Sequence, residues 1–183
     1  MILITDSLNK KLLKDKVIKY YYSMTKKNKN YYAKHDLKHA IRVMKTCKKL
    51  ALELNIVSKD IENICISALL HDVGASKFGK EGHAERSYEI AKLYTKNDKI
   101  LNAILFHSNG HNSDYGFILT LADKLDICKN RLTNLGKKQL GVRQFNYINS
   151  LNFKIINGLF VLNIKSNKKI DLNELNNYYF IKK

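Results

Sequence analysis

The chain contains no proline and no tryptophan, has only four arginines among its 33 basic residues, and sets just 16 acidic residues against them. Without proline there is no Pro-rich linker, and no internal repeat divides the 183 residues. No apolar run approaches the roughly 18 residues that a membrane span requires. The amino terminus, MILITDSLNKKLLKDK, has a short apolar start but no basic segment ahead of a long apolar one, so it does not read as a secretory signal. A cytoplasmic protein without membrane contact is the expectation. Cysteine is scarce as well. Cys47, Cys65 and Cys128 form no CxxC motif, cannot pair without one left over, and sit within apolar helical patterns, so they read as reduced core thiols.

What the chain has in excess is lysine. A net charge of +17 would suit a polyanionic partner. Phosphate recognition, however, favours the bidentate fork of arginine, and 29 of the 33 basic residues are lysine. With asparagine, isoleucine and tyrosine also abundant, the charge reads as AT-rich codon usage and a solvated surface more than as a nucleic-acid footprint. The 45% hydrophobic content suffices for one compact core.

Helical spacing runs through Leu8 to Met24, Tyr31 to Leu54, Lys59 to His71, Ala84 to Tyr94, Asp98 to His107 and Asp114 to Lys129. In the first of these, Leu12, Leu13, Val17, Tyr20 and Tyr21 share a side. The class is mainly α, a helical bundle over residues 1–148. Residues 149–183 form a tail packed on the same domain. Val73 to Gly82, with three glycines, reads as a loop leaving the end of a helix.

In the tail the period changes to two. Asn157-Gly158 supplies the paired positive-φ residues of a type I′ turn, so Ile155 faces Phe160, Phe153 faces Leu162 and Leu151 faces Ile164 on one apolar face. Asn152 and Lys154 fall on the other. Asp171-Leu-Asn-Glu174 has capping-box spacing for a last helix, Leu172 to Tyr179. This tail reads as a structural lid over bundle core, with a site cover or a homodimer contact as the alternatives.

The candidate chemistry is central. His39 and Arg42 lie three residues apart on one helix face. His71-Asp72 ends a helix, and Asp123 follows about a helix pair later. Imidazoles and carboxylates converging from helix ends are what a divalent transition metal requires. His83 and His107 add two imidazoles at helix–loop edges. His35 is a surface histidine or a substrate contact, His111 reads as loop, and Asp126 either orients a ligand histidine or touches metal. The clusters Tyr20-Tyr21-Tyr22 and Tyr31-Tyr32 read as core.

In their order and context, His39-Ala-Ile-Arg42-Val43, Ala68-Leu-Leu-His71-Asp72-Val-Gly74 and Leu121-Ala-Asp123-Lys-Leu-Asp126 resemble the H…HD…D signature of the HD-domain superfamily of metal-dependent phosphohydrolases. The resemblance covers residues 31 to 131. With His83 and His107 the pattern is similar to the two-metal branch, which includes bacterial dinucleoside tetraphosphate hydrolases. It implies His39, His71 and Asp123 on a first ion, His83 and His107 on a second, and Asp72 bridging both. The ions would be Fe, Mn, Co, Ni or Zn, one or two per chain, and the substrate a small phosphorylated molecule such as a nucleotide. Asp72 would serve catalysis directly, with Arg42 and Lys77, or Lys124, offsetting phosphoryl charge. The chain departs from many members at Ala75, where they carry lysine; here lysine comes two residues later, at Lys77. A nucleic-acid or nucleotide-binding module, or a nuclease using the basic surface, is the alternative function.

Overall fold

A computed structural model describes residues 7–25, 31–75, 79, 81–108 and 114–176. Among these, helices α1 (Ser7–Lys14), α2 (Lys16–Thr25), α3 (Leu37–Glu53), α4 (Ser58–Leu70), α5 (His83–Ala91), α6 (Asp98–Phe106) and α7 (Asp114–Lys124) precede two short 3-10 turns, Lys129–Arg131 and Val142–Tyr147. Strands β1 (Ile148–Ile156) and β2 (Leu159–Ser166) and the short α8 (Leu172–Leu175) complete the order. No helix among the described residues is long and apolar enough to cross a membrane.

Helix α4 is the hub. Its Ile61, Ile64, Cys65, Ile66, Ala68, Leu69 and Leu70 are all buried, so both of its sides need neighbours. On one side Ile64 and Ala68 join Val43, Cys47 and Leu50 of α3 with Leu119 and Ala122 of α7. On the other, Ile66, Leu69 and Leu70 meet Leu12, Ile18, Ile100 and Ile104. Each such fully buried aliphatic chain contributes on the order of 1.5–3 kcal/mol.

Three expected helices differ at an aspartate, and α5 ends at Ala91 instead of Tyr94. The segment Leu8 to Met24 is two helices, because Asp15 Oδ1 accepts from the backbone amides of Val17 (2.8 Å) and Ile18 (3.0 Å) and starts a new helix. The break rotates the apolar face: Ile18 and Tyr22 are buried, whereas Val17 and Tyr20 are 50% and 60% exposed. Tyr22 then anchors α2 on α4 by donating to the Leu69 carbonyl at 2.8 Å. Likewise α3 begins at Leu37 and not at Tyr31, since the Asp36 carboxylate caps it by accepting from His39 N at 2.9 Å. Residues 31–36 run irregularly beside residues 131–133, with Ala33 bridging Leu132. Helix α7 stops at Lys124 instead of Lys129; Asp126 N turns back to Asp123 O at 3.1 Å, and Cys128 lies outside the helix, half-buried. None of the three cysteines forms a disulfide.

Gly74 sets the approach of α5 to the end of α4. A Cβ there would lie 2.4 Å from Ser87 N, and the contact is sealed by Gly74 N donating to Ser87 Oγ at 2.9 Å. Only glycine allows this spacing.

The hairpin has the expected register, with Leu151 opposite Ile164, Phe153 opposite Leu162 and Ile155 opposite Phe160. Asn157 (φ 50°) and Gly158 (φ 76°) form its turn. Phe153 is buried against the bundle, and Leu151 and Leu162 pack beside it. The apolar face is not covered throughout: Phe160, near the turn, is 40% exposed because the hairpin tip runs past the bundle. Half of the expected capping box forms. Asp171 accepts from Glu174 N at 2.9 Å, but Glu174 accepts from Gly141 N and Arg143 instead of from Asp171. The expected extension of α8 to Tyr179 falls outside the described residues.

Introducing a charge at Phe153 (Phe153→Asp) should lower the unfolding free energy in urea by at least about 3 kcal/mol, through lost burial and an unpaired buried carboxylate. Lys154→Glu, on the exposed face, should change it by less than about 0.5 kcal/mol. Equal losses would mean a different register.

Candidate metal centre

Four helix ends meet at one carboxylate. His71 and His107 are the C-cap residues of α4 and α6. Each donates its Nδ1–H to the carbonyl three residues back, Ala68 O at 2.8 Å and Ile104 O at 2.6 Å. Carbonyl oxygens cannot donate, so these bonds fix the Nδ1–H tautomer and leave Nε2 as a lone pair facing inward. His39, in the first turn of α3, turns its Nδ1 to Asp126 Oδ2 at 2.6 Å. His83 opens α5, where Arg86 ties the preceding carbonyls of Gly74, Gly79 and Glu81 together at 2.7–2.9 Å.

Asp72, 1% exposed, lies between these rings. Its Oδ2 is 3.2 Å from His39 Nε2 and 3.3 Å from His71 Nε2, whereas its Oδ1 is 3.4 Å from His83 Nε2 and 3.8 Å from His107 Nε2. Asp123 Oδ1 is 3.2 Å from His39 Nε2. The structure therefore brings together His39, His71, Asp72, His83, His107 and Asp123. Lys77 and His111 lie outside the described residues.

The donors fit a metal. His39, His71 and Asp123 can each point one ligand atom into a common space, as can His71, Asp72 and His107, and His35, His39 and Asp72. His71 Nε2 is buried and makes no hydrogen bond among the described residues. His83 Nε2 and His107 Nε2 approach to 3.1 Å, and with a lone pair on His107 a proton or a cation must lie between them.

Electrostatics point the same way. Burial favours the neutral form of Asp72, but His71 and His35 outweigh it and hold the carboxyl well below its usual range. Asp123 is held low against burial by Arg131 and His39. Burial and the Arg131 charge disfavour a proton on His39, yet its hydrogen bonds to Asp123, Asp126 and Asp72 prevail and raise it to about 10. Positive charge is thus strongly favoured at His39 Nε2, whether as a proton or as a metal cation.

Three residues acquire roles that the motif does not give them. His35 lies at the centre, its Nδ1 2.6 Å from Asp72 Oδ2. Asp126 holds His39 and also receives Arg42, whose Nε and NH2 donate at 2.7 and 2.9 Å. His39 and Arg42 do converge on one group, but that group is Asp126. Arg131, 3% exposed, donates to Asp123 O and Asp126 O, with NH2 3.0 Å from Asp123 Oδ1 and 3.2 Å from His39 Nε2. Nothing in its local string marked it. Arginine scarcity could have: the four arginines make side-chain hydrogen bonds to Asp126, to the α5-entry carbonyls, to Asp123 and to Glu174.

A helical bundle with histidine and aspartate donors at converging helix ends defines a candidate metal-binding protein. Residues 36–128, half of the chain, match the HD domain, and the chain belongs to that family. It is similar to Ribonuclease Y of Mesoplasma florum, 30% identical over 107 residues, covering 56% of this chain and 21% of the relative. It is similar also to Ribonuclease Y of Staphylococcus epidermidis, 41% identical over 78 residues, covering 42% of this chain and 14% of the relative. The chain thus spans about a fifth or less of these curated relatives. No solved structure matches it.

Asp126→Asn should weaken metal affinity about 10–100-fold while leaving thermal unfolding of the metal-free chain cooperative, since it loosens the ring that Asp126 holds. Isothermal titration measures this. A pH effect should accompany it. His39 titrates near 6.5 when unfolded and near 10 when folded, so its stabilisation of the metal-free chain is full below about pH 6.5 and fades as pH rises toward 10. Metal binding must expel that proton, so affinity should rise over the same interval; a flat affinity would remove His39 from the ligand set.

Proposed function

We propose that the chain is a metal-dependent phosphohydrolase cleaving a phosphoester or phosphoanhydride bond of a nucleotide or similarly small phosphorylated substrate. The observation that carries this reading is the division of Asp72: one oxygen faces His39 and His71, the other His83 and His107. His39, His71 and Asp123 would hold one ion and His83 and His107 another, with Asp72 shared. Four imidazoles with two carboxylates favour Fe, Mn, Co, Ni or Zn over Mg. A divalent transition ion supplies Lewis acidity and lowers the pKa of water from about 15.7 toward 7.

The chain's own residues prepare that chemistry. Asp126 holds His39 in the orientation that turns Nε2 inward, and Arg42 braces Asp126. His35 supports Asp72 on Oδ2, the oxygen that does not face His83 and His107. The Arg131 guanidinium, kept in place by two backbone carbonyls, is the cation nearest the donors among the described residues and would offset charge developing on phosphoryl oxygens. The candidate set of six resembles that of the two-ion branch that includes dinucleoside tetraphosphate hydrolases. A second reading, phosphodiester cleavage in RNA, is favoured by the relatives named Ribonuclease Y.

The deciding experiment incubates metal-loaded protein with nucleoside mono-, di- and polyphosphates, dinucleotides and a short RNA and asks which is consumed. Asp72→Ala should lose metal and turnover together, by at least about 10³-fold in kcat, and adding His39→Ala should cost little more because the ligands act as one unit. Full activity with retained metal would exclude Asp72 from the reaction. Metal analysis should give about two equivalents for the wild type and about one for His83→Ala or His107→Ala, with most turnover lost. One equivalent in the wild type, with His83→Ala fully active, would leave a mononuclear centre.

A further inference from the structure

Beside the metal centre lies a second feature that the ligand set does not use. A groove of about 1030 Å³ runs between α2, the start of α3 and residues 130–137. That is at the upper end of small-ligand sites, which span about 300–1,000 Å³. Its walls carry Lys19, Lys34, Lys38, Lys137 and Arg42, and a single acidic residue, Asp36, whose carboxylate already caps α3. No carboxylate among the described residues lies within ion-pair distance of Lys19, Lys38 or Lys137, and all three are exposed. Asn130, Thr133 and Asn134 add polar side chains, and the tyrosines of the lining, Tyr22 and Tyr31, are buried at 2% and 6% exposure.

His35 connects the two sites: it lines the groove and touches Asp72 at 2.6 Å. A ligand in the groove therefore reaches the wall of the metal centre. We infer that this groove binds the phosphate backbone of a single-stranded nucleic acid and leads it to the centre. Lys19, Lys38 and Lys137, without carboxylate partners among the described residues, together with asparagine amides and buried tyrosines suit successive phosphates, not base stacking, so the binding should be sensitive to salt and tolerant of sequence. What happens to the strand at the centre rests on the phosphohydrolase reading; the binding does not.

The test uses metal-loaded protein and a fluorescein-labelled 12-nucleotide RNA with cleavage-resistant phosphorothioate linkages, read by anisotropy across a salt series. Lys19→Glu/Lys38→Glu/Lys137→Glu should bind at least tenfold more weakly. Its salt slope should fall by about two, since each phosphate contact on a single strand adds roughly 0.7. Lys154→Glu/Lys165→Glu/Lys169→Glu, on the hairpin and the segment after it, makes the same change in net charge and should bind as the wild type does. Equal losses in both triple variants would attribute binding to bulk charge, and an unchanged groove variant would empty the groove of this role; either result overturns the inference. Displacement of the RNA by equimolar ATP would overturn it too, because the centre alone would then hold the strand. A chain that binds RNA through these lysines and cleaves nothing in the substrate panel would keep the groove and lose the phosphohydrolase reading. A chain that hydrolyses nucleotides and binds RNA equally with and without the lysines would do the reverse.

Discussion

An ionised carboxylate with about 1% exposure cannot stand alone in a protein interior, and Asp72 is such a group. Its desolvation has to be offset by positive charge and hydrogen-bond donors on both oxygens. Five histidines on separate elements surround it, His35 ahead of α3, His39 within it, His71 and His107 at the ends of α4 and α6, and His83 at the start of α5; the inward Nε2 lone pairs of His71 and His107 need a cation between them and the carboxylate. The helix ends of the bundle are arranged about that requirement. A divalent cation meets it better than protons do, because one ion can serve a carboxylate oxygen and several imidazoles at once.

The rings are aimed by backbone, and that links the fold to the chemistry. A helix leaves its last carbonyls without partners. His71 and His107 each satisfy one such carbonyl with Nδ1–H, so the feature that finishes the helix also points Nε2 at Asp72. Asp36 does related work at the other pole, capping α3 through the amide of His39 itself. Stability and ligand orientation are here the same hydrogen bonds, and loosening a helix end would misdirect a ligand.

Arginine is used sparingly and always as a fork. Arg42 braces Asp126, Arg86 gathers the loop carbonyls that lead into α5, Arg131 joins Asp123 and Asp126, and Arg143 binds Glu174 near the tail. In a chain whose lysines largely face water, the planar guanidinium is kept where several acceptors must be held at fixed spacing. Three of the four stand around the metal centre, which marks it as the region where geometry is most constrained.

The bundle and the hairpin register were legible because each rests on local rules, helical spacing and the two positive-φ residues of Asn157-Gly158, whereas the grouping of six ligand candidates came from the resemblance of their motifs. Aspartate confused the same rules. Asp15 and Asp36 fit an apolar helical period but cap new helices, and the period alone cannot show which of two hydrogen-bonding options a short carboxylate takes. Asp126 was open between orienting and ligating, and its position opposite His39 Nδ1 decides for orienting. His35 and Arg131 were not legible as parts of the centre, because their contacts, to Asp72 and to His39, span 37 and 92 residues. The sequence by itself determined the helical class and most of its elements and offered six of the side chains that could bind a metal, since propensity and residue chemistry are local. Only the tertiary structure decided which oxygen of Asp72 meets which histidine, what holds each ring, and that a lysine-lined groove abuts the site, since these depend on how distant helix ends pack.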